Sequence, residues 1–277
     1  MRLGTSSPLK HDTPEEWAEN QVKLGCSAVV FPVSSLEPEQ KIIAYKEAAR
    51  KAGLMIAEVG IWKNALSSDP DERKKNMDYC VEQLRMADFI GARCAVNVAG
   101  ACGPVWDGGY RENFSKDAWE KTVSMVREII DRANVKETYF TLEPMPWMIP
   151  TGPLEYVKLI EAVDRDRFAV HMDIINMINS VERYFDPEAF IDDCKDMLGT
   201  QIRSCHIKDI HFNRKYTIQL EECAPGCGEF PLRYYVEKMN EIDSNMPVIL
   251  EHLNSDEEYI KYMGYLKEEL NGLYKII

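Results

Sequence analysis

TYFTLEPMPWMIPTGPLEYVKLIEAVDRDRFAVHMDII, residues 138–175, opens on an apolar run, TYFTLEP (138–144), passes through a segment of helical period near 153–163 and closes on a second apolar run, FAVHMDII (168–175). A strand, an amphipathic helix and a strand in that order give parallel strands joined by a right-handed crossover. The unit recurs along the chain. Further strand-like runs are RLGTSS (2–7), AVVFP (28–32), LMIAEVGI (54–61), CAVNVAG (94–100), IRSCHIKDI (202–210) and PVILEHL (247–253). Segments of helical period lie near 14–24, 37–52, 70–90, 115–133, 186–198, 231–241 and 255–270. Thr13 before Pro14 with Glu16, and Asp69 before Pro70 with Glu72, mark two helix starts. Eight βα units in about 250 residues is the arithmetic of an α/β protein built as one (β/α)8 TIM barrel, and no linker divides residues 1–277. A doubly wound open sheet would want a phosphate-binding glycine loop, and neither G-x-G-x-x-G nor G-x-x-x-x-G-K occurs.

The 277 residues are 45% hydrophobic and 29% charged, with a formal net charge of −13. That excess of acid repels a phosphate backbone or an anionic lipid surface, so neither nucleic acid nor a membrane is an expected partner. No apolar run approaches the roughly 18 residues of a spanning helix, and MRLGTSSPLK at the start has no apolar signal core, so a cytoplasmic protein is expected. The eight cysteines form no C-x-x-C pair and read as reduced thiols, mostly packing; Cys223 and Cys227 read as loop residues.

In a barrel the chemistry sits at the C-terminal ends of the strands. Four consecutive strands end in ionisable residues: Glu143, Asp173, His206 and Glu251, separated by 30, 33 and 45 residues. Each interval is one βα repeat, the last lengthened by a loop from 211 to about 230, so the four side chains converge on one half of the barrel mouth. Three carboxylates do not share a partly desolvated site without a compensating cation. A divalent metal resolves the conflict, and an oxygen-rich set with one nitrogen suits Mn2+ first, with Mg2+ or Co2+ next and Zn2+ also open.

Strand alternation extends the site, because residues two apart share a face. His171 shares the inward face with Asp173 and reads as a support or core residue; Ser204 and Lys208 share it with His206, while Cys205 and Ile207 turn toward the helices. Lys208 suits hydrogen bonding to a substrate hydroxyl or a developing oxyanion, and equally a salt bridge to Asp209 or another acid. Glu58 and Asn97 occupy comparable late positions in strands three and four, as pocket lining or as structure. Trp62, Trp106 and Trp147 follow strand ends, where aromatic walls of a pocket stand. Alternation turns His252 away from the mouth.

With TLEPMP (Glu143), HMDIIN (Asp173 and Asn176), CHIKDI (His206 and Lys208), the glycine turn PGCGEF (225–230) and VILEHL (Glu251) in hand, the sequence resembles the xylose isomerase-like barrel superfamily of sugar and sugar-phosphate isomerases and epimerases. That group includes tagatose 3-epimerases, hydroxypyruvate isomerases and inosose dehydratases. The resemblance covers nearly the whole chain. It implies that Glu143, Asp173, His206 and Glu251 bind one divalent metal and that Glu143 and Glu251 are the acid/base pair. It also implies a dimer or tetramer. Epimerase-type members usually carry histidine three residues after the metal aspartate to bind substrate; here that position is Asn176, which hydrogen-bonds a hydroxyl but carries no charge. No basic cluster announces a phosphate pocket, so a free or oxidised sugar is preferred.

The expected chemistry is metal-assisted proton abstraction beside the carbonyl of a ketose or keto-sugar. One glutamate removes the proton to give an enediolate, and the other returns a proton, giving isomerisation or epimerisation. If the second glutamate instead protonates a departing β-substituent of a keto-sugar or inosose, the outcome is that of a lyase or dehydratase. The superfamily also includes the zinc phosphodiesterase endonuclease IV, which five histidines and a charge of −13 disfavour. A non-catalytic metal-binding barrel is the remaining alternative. Substrate choice is assigned to loops after strands one to four, including 97–113, with Trp147 and Asn176.

Overall fold

The computed structural model describes residues 1–276. Seven parallel strands come first: β1 (Arg2–Thr5), β2 (Ala28–Val30), β3 (Met55–Gly60), β4 (Cys94–Asn97), β5 (Tyr139–Leu142), β6 (Phe168–Met172) and β7 (Ile202–Ile207). A hairpin of β8 (Asp209–Asn213) and β9 (Gln219–Cys223) intervenes before the eighth barrel strand, β10 (Pro247–Leu250). The sheet order β1-β10-β7-β6-β5-β4-β3-β2 makes a nearly closed barrel, as the alternation implied. At the seam between β1 and β2 the Ser27 N–H donates to Leu3 O at 2.8 Å. Gly4 permits that approach, since a Cβ there would lie 2.4 Å from Ala28 O and 2.6 Å from Ile249 Cδ1.

The helices pack around the barrel: α1 (Pro14–Leu24), α2 (Glu39–Lys51), α3 (Pro70–Ile90), α4 (Lys116–Ala133), α5 (Pro153–Val163), two short turns α6 (Ile174–Met177) and α7 (Val181–Phe185), then α8 (Pro187–Leu198), α9 (Leu232–Ile242) and α10 (Asp256–Glu269). The start signals work as read. Thr13 Oγ1 accepts from Glu16 N at 3.1 Å, and Asp69 Oδ1 from Asp71 N at 2.8 Å and Glu72 N at 3.1 Å. Each satisfies amides that the first helical turn leaves without intrahelical partners. No helix among the described residues is long and apolar enough to cross a membrane.

The apolar core fills the layer between strands and helices, with Trp17, Leu84, Ile129, Phe140 and Tyr235 fully buried. Inside the barrel a small apolar cluster of Ala28, Ala57 and Ile249 lies apart from that layer. Further up, the barrel interior holds polar groups, and their concentration at one end positions the site.

Two expectations on local structure need correction. The stretch 211–230 is not simply a loop, because 209–213 and 219–223 pair as an antiparallel hairpin. Strand six ends at Met172, where Asp173 Oδ1 accepts from Asn176 N at 3.0 Å and starts α6.

Candidate metal centre

The carboxylates Glu143 and Glu251 follow directly on β5 and β10, Asp173 caps α6 at the end of β6, and His206 projects from within β7. The Glu143 N–H donates to Asn97 O at 2.7 Å, which prolongs the β4–β5 ladder by one residue and fixes the glutamate above it. One ligand atom from each of the four lies within 4.8 Å of the others. All four residues are buried, none more than 5% exposed. His206 Nδ1 is the centre of the group, 2.9 Å from Glu251 Oε2, 3.5 Å from Asp173 Oδ2 and 3.6 Å from Glu143 Oε1.

Beneath them lies Glu58. Its Oε2 is 3.3 Å from His206 Nε2, its Oε1 is 3.2 Å from His171 Nε2, and Ser204 Oγ donates to the same Oε1. The His171 ring stands edge-on to His206, with centroids 4.1 Å apart. Burial opposes the charged form of Glu58, and the two imidazoles outweigh it, holding the carboxyl below its usual range. An acceptor of this kind holds a proton on His206 Nε2, so that Nδ1 is the ring atom free to ligate a cation; with carboxylates alone around it, burial is outweighed by Glu251, Glu58 and Glu143, which hold the imidazole well above its usual range.

That arrangement is the test of fit for a metal. His206 Nδ1 and Asp173 Oδ2 are buried with no hydrogen bond in line, although Lys208 Nζ lies 2.7 Å from the latter. Burial together with Glu251 pushes the Glu143 carboxyl up, while burial is outweighed at Asp173 by Lys208 and His206, which hold it well below its usual range. One ring nitrogen and three acidic oxygens turned toward one point suit a divalent cation, which would take the place of the Nδ1 proton, and the donor set of oxygens with one imidazole nitrogen suits a hard or borderline ion.

Lys208 belongs to the same cluster. Its Nζ is 2.7 Å from both Asp173 Oδ2 and Glu251 Oε1 and 3.2 Å from Glu222 Oε2, and the residue is 1% exposed. The ammonium is thus shared among acids, but Asp209 is not one of them. That carboxylate accepts instead from the N–H groups of Ile210, Gly226, Gly228 and Phe230 at 2.8–3.0 Å, tying the glycine turn to the hairpin. Asn176 Nδ2 donates to Glu143 Oε1 at 3.0 Å.

A cavity of about 360 Å³ reaches this cluster through two of its lining residues, Asn176 beside Glu143 and Glu222 beside Lys208, with Trp147 on its side; the four cluster residues themselves do not line it. Trp62 and Trp106 are not part of its lining. Two pocket assignments are corrected. Glu58 lies outside the cavity lining, 1% exposed, with both oxygens engaged by His206, His171 and Ser204, so it stands under the cluster as a support for His206. Asn97 is fully buried and turned toward the helices, its amide holding Lys63 N and O at 2.9 and 3.0 Å and lying 3.7 Å from Cys80 Sγ on α3.

At the mouth the sequence reading misplaced one residue, His252, and missed another, Glu222. His252 has a left-handed φ of 56°, because β10 ends at Leu250 and alternation stops there. Its Nδ1 lies 2.9 Å from Glu222 Oε1 and 3.3 Å from Lys208 Nζ, so the expectation that it faces away is wrong. Glu222 comes from the hairpin; the alternation of Ile218, Leu220 and Glu222 was the signal that could have placed it.

The sequence model of the xylose isomerase-like TIM barrel family matches residues 18–273. The chain belongs to that family. Among solved structures, this xylose isomerase-like barrel is similar to D-psicose 3-epimerase with D-tagatose from Clostridium cellulolyticum, at 17% identity and TM-score 0.70 over 99% of this chain and 100% of that one. It is similar to a xylose isomerase-like TIM barrel protein from Mycobacterium smegmatis in complex with magnesium, at 16% identity and TM-score 0.70 over 99% and 97%. It is also similar to endonuclease IV from Thermus thermophilus, at 13% identity and TM-score 0.74 over 98% and 99%. Comparison with curated proteins finds no significant match. At these identities the structural likeness carries the fold. A larger cleft of the xylose isomerase-like barrel, about 980 Å³, lies on its outer flank between α3 and α4, and none of the cluster's residues lines it.

Proposed function

We propose that this xylose isomerase-like barrel is a divalent-metal-dependent isomerase or epimerase of a keto-sugar, working by proton abstraction beside the carbonyl. The observation that carries the reading is His206 Nδ1, buried, without an in-line hydrogen bond and turned toward Glu143, Asp173 and Glu251. These four residues would hold one ion, with Mn2+ preferred and Mg2+ or Co2+ also suited. When bound, such an ion supplies a Lewis acid for negative charge that develops on substrate oxygen.

The chain's own residues do the rest. Glu143 and Glu251 stand at the two ends of the arc β5-β6-β7-β10, so they reach a substrate from different sides of the mouth. One takes the proton from carbon to leave an enediolate, and the other delivers a proton at the same or the adjacent carbon. Asn176, on the Glu143 oxygen, orients that carboxylate and offers its amide to a hydroxyl. Lys208 holds Asp173 and Glu251 in place and keeps the acid cluster near neutrality once a divalent ion joins it. The acid-lined mouth and the charge of −13 favour a small neutral sugar over a phosphodiester.

The test is exchange of carbon-bound hydrogen in D2O, over a panel of ketoses, inososes and 3-keto-glycosides, for the metal-loaded protein and the Glu143→Gln, Glu251→Gln double variant. Deuterium incorporation that requires both the metal and the glutamates is expected, with a change of configuration or carbonyl position in the product. Elimination products in place of isomers would make the protein a lyase. Metal binding without exchange on any member of the panel would overturn the catalytic reading.

A further inference from the structure

The cavity beside the cluster changes character along its length. At the inner end stand Asn176, 3.0 Å from Glu143, and Glu222, 3.2 Å from Lys208. Its third polar residue, Asn179, is already committed, donating to Thr151 O at 3.2 Å and accepting from Arg183 Nη1 at 2.9 Å. The outer wall is Trp147, Ile178, Ile218 and Leu220. On the second hairpin strand Leu220 and Glu222 share one face, and Ile218, which precedes the strand, joins them in the cavity lining, so the row runs from an apolar rim to the acid beside Lys208.

Trp147 is fixed as a platform. Its indole N–H donates to Asp107 O at 2.7 Å and its carbonyl accepts from Asn113 Nδ2 at 2.9 Å, so only the ring surface, in a residue 41% exposed, is offered to a ligand. Ile218 is 61% exposed at the rim. A free hexose bears hydroxyls around its whole circumference, and each one buried without a partner costs free energy. The outer wall has no uncommitted polar side chain to meet them. No arginine or lysine lines the cavity either, so a phosphate or carboxylate substituent finds no counter-charge.

We propose that the substrate is an uncharged sugar derivative bearing an apolar substituent, with the sugar at the metal cluster and the substituent, an aryl or alkyl aglycone, against Trp147, Ile218 and Leu220. The assignment of the sugar end rests on the isomerase or epimerase reading; the assignment of the substituent rests on the cavity wall. Its volume of about 360 Å³ falls within the range of small-molecule sites.

The test is calorimetric binding to the Mn2+-loaded protein of phenyl and methyl D-glucopyranosides, in both anomeric forms, with phenol as control. The phenyl glycoside should bind at least tenfold more tightly than the methyl glycoside and than phenol. Ile218→Ser at the exposed rim and Leu220→Asp deeper in the wall should each reduce the phenyl preference to about twofold or less, with metal binding retained as the check on folding. Equal affinity for phenyl and methyl glycosides, binding of neither, or phenol matching the glycoside would overturn the inference. Hydrogen exchange on free ketoses with no phenyl preference would sink it while leaving the isomerase reading intact. A phenyl preference without exchange on any keto-sugar would do the reverse.

Discussion

Replacing Glu58 with Gln removes a charge and almost no volume from a position where both oxygens are engaged. Oε2 faces His206 Nε2 at 3.3 Å, and Oε1 serves His171 Nε2 at 3.2 Å and Ser204 Oγ. A carboxamide keeps one acceptor oxygen and presents an NH2 group in place of the other, so one imidazole N–H meets a donor. If His206 is that imidazole, its proton moves to Nδ1, the atom that faces Glu143, Asp173 and Glu251, and the nitrogen lone pair is lost from the cluster. Removing an outer partner of a metal-ligating histidine typically costs about 10–100-fold in metal affinity, or about 1.4–2.8 kcal/mol. Competition titration of Mn2+ against a chelator should therefore show a weakening of that size in Glu58→Gln, with the circular dichroism of the folded barrel retained. A folded Glu58→Gln variant whose Mn2+ affinity equals that of the wild type would refute the argument that Glu58 sets the His206 tautomer.

Three further outcomes follow from the fold. Gly4→Ala places a Cβ 2.4 Å from the Ala28 carbonyl at the barrel seam, so chemical denaturation should show a loss of about 1–3 kcal/mol, the usual cost of overpacking against a backbone that cannot give. Asp209→Asn leaves one oxygen where two serve four N–H groups, and hydrogen exchange at Gly226, Gly228 and Phe230 should accelerate while stability falls by about 1–3 kcal/mol. At Asp88, burial pushes the carboxyl up but the N–H groups of Thr138, Glu137 and Lys136 outweigh it and hold it below its usual range. Because the folded value is the lower one, the stability of wild type over Asp88→Asn should be fully present above about pH 4 and disappear as pH falls through the folded value, in denaturation curves taken from pH 7 downward.

The barrel was legible because its strands are apolar runs spaced by helices whose starts are written as Thr13-Pro14 and Asp69-Pro70. The four cluster residues were legible because each breaks an apolar run at the same point of its repeat. Depth within the barrel was not. Glu58 lies in the middle of β3 and pairs in register with Cys94, which pairs with Tyr139, four residues before Glu143, so it sits well below the mouth. Parallel strands are buried on both faces and read as continuous apolar runs, which hides both the level of Glu58 and the outward turn of Asn97. His252 was misplaced for a different reason, since a left-handed residue beyond the strand end breaks the alternation on which the reading relied. The hairpin carried its own signal in Ile218, Leu220 and Glu222, obscured by polar neighbours on the exposed face.

In the reading proposed here Glu143, Asp173, His206 and Glu251 hold one divalent metal ion. Anomalous diffraction at the manganese edge, from crystals grown with Mn2+, would locate that ion. One peak per chain, ligated by those three carboxylates and by His206 through Nδ1, is the expected result; no peak, or a peak held by other residues, would contradict the account.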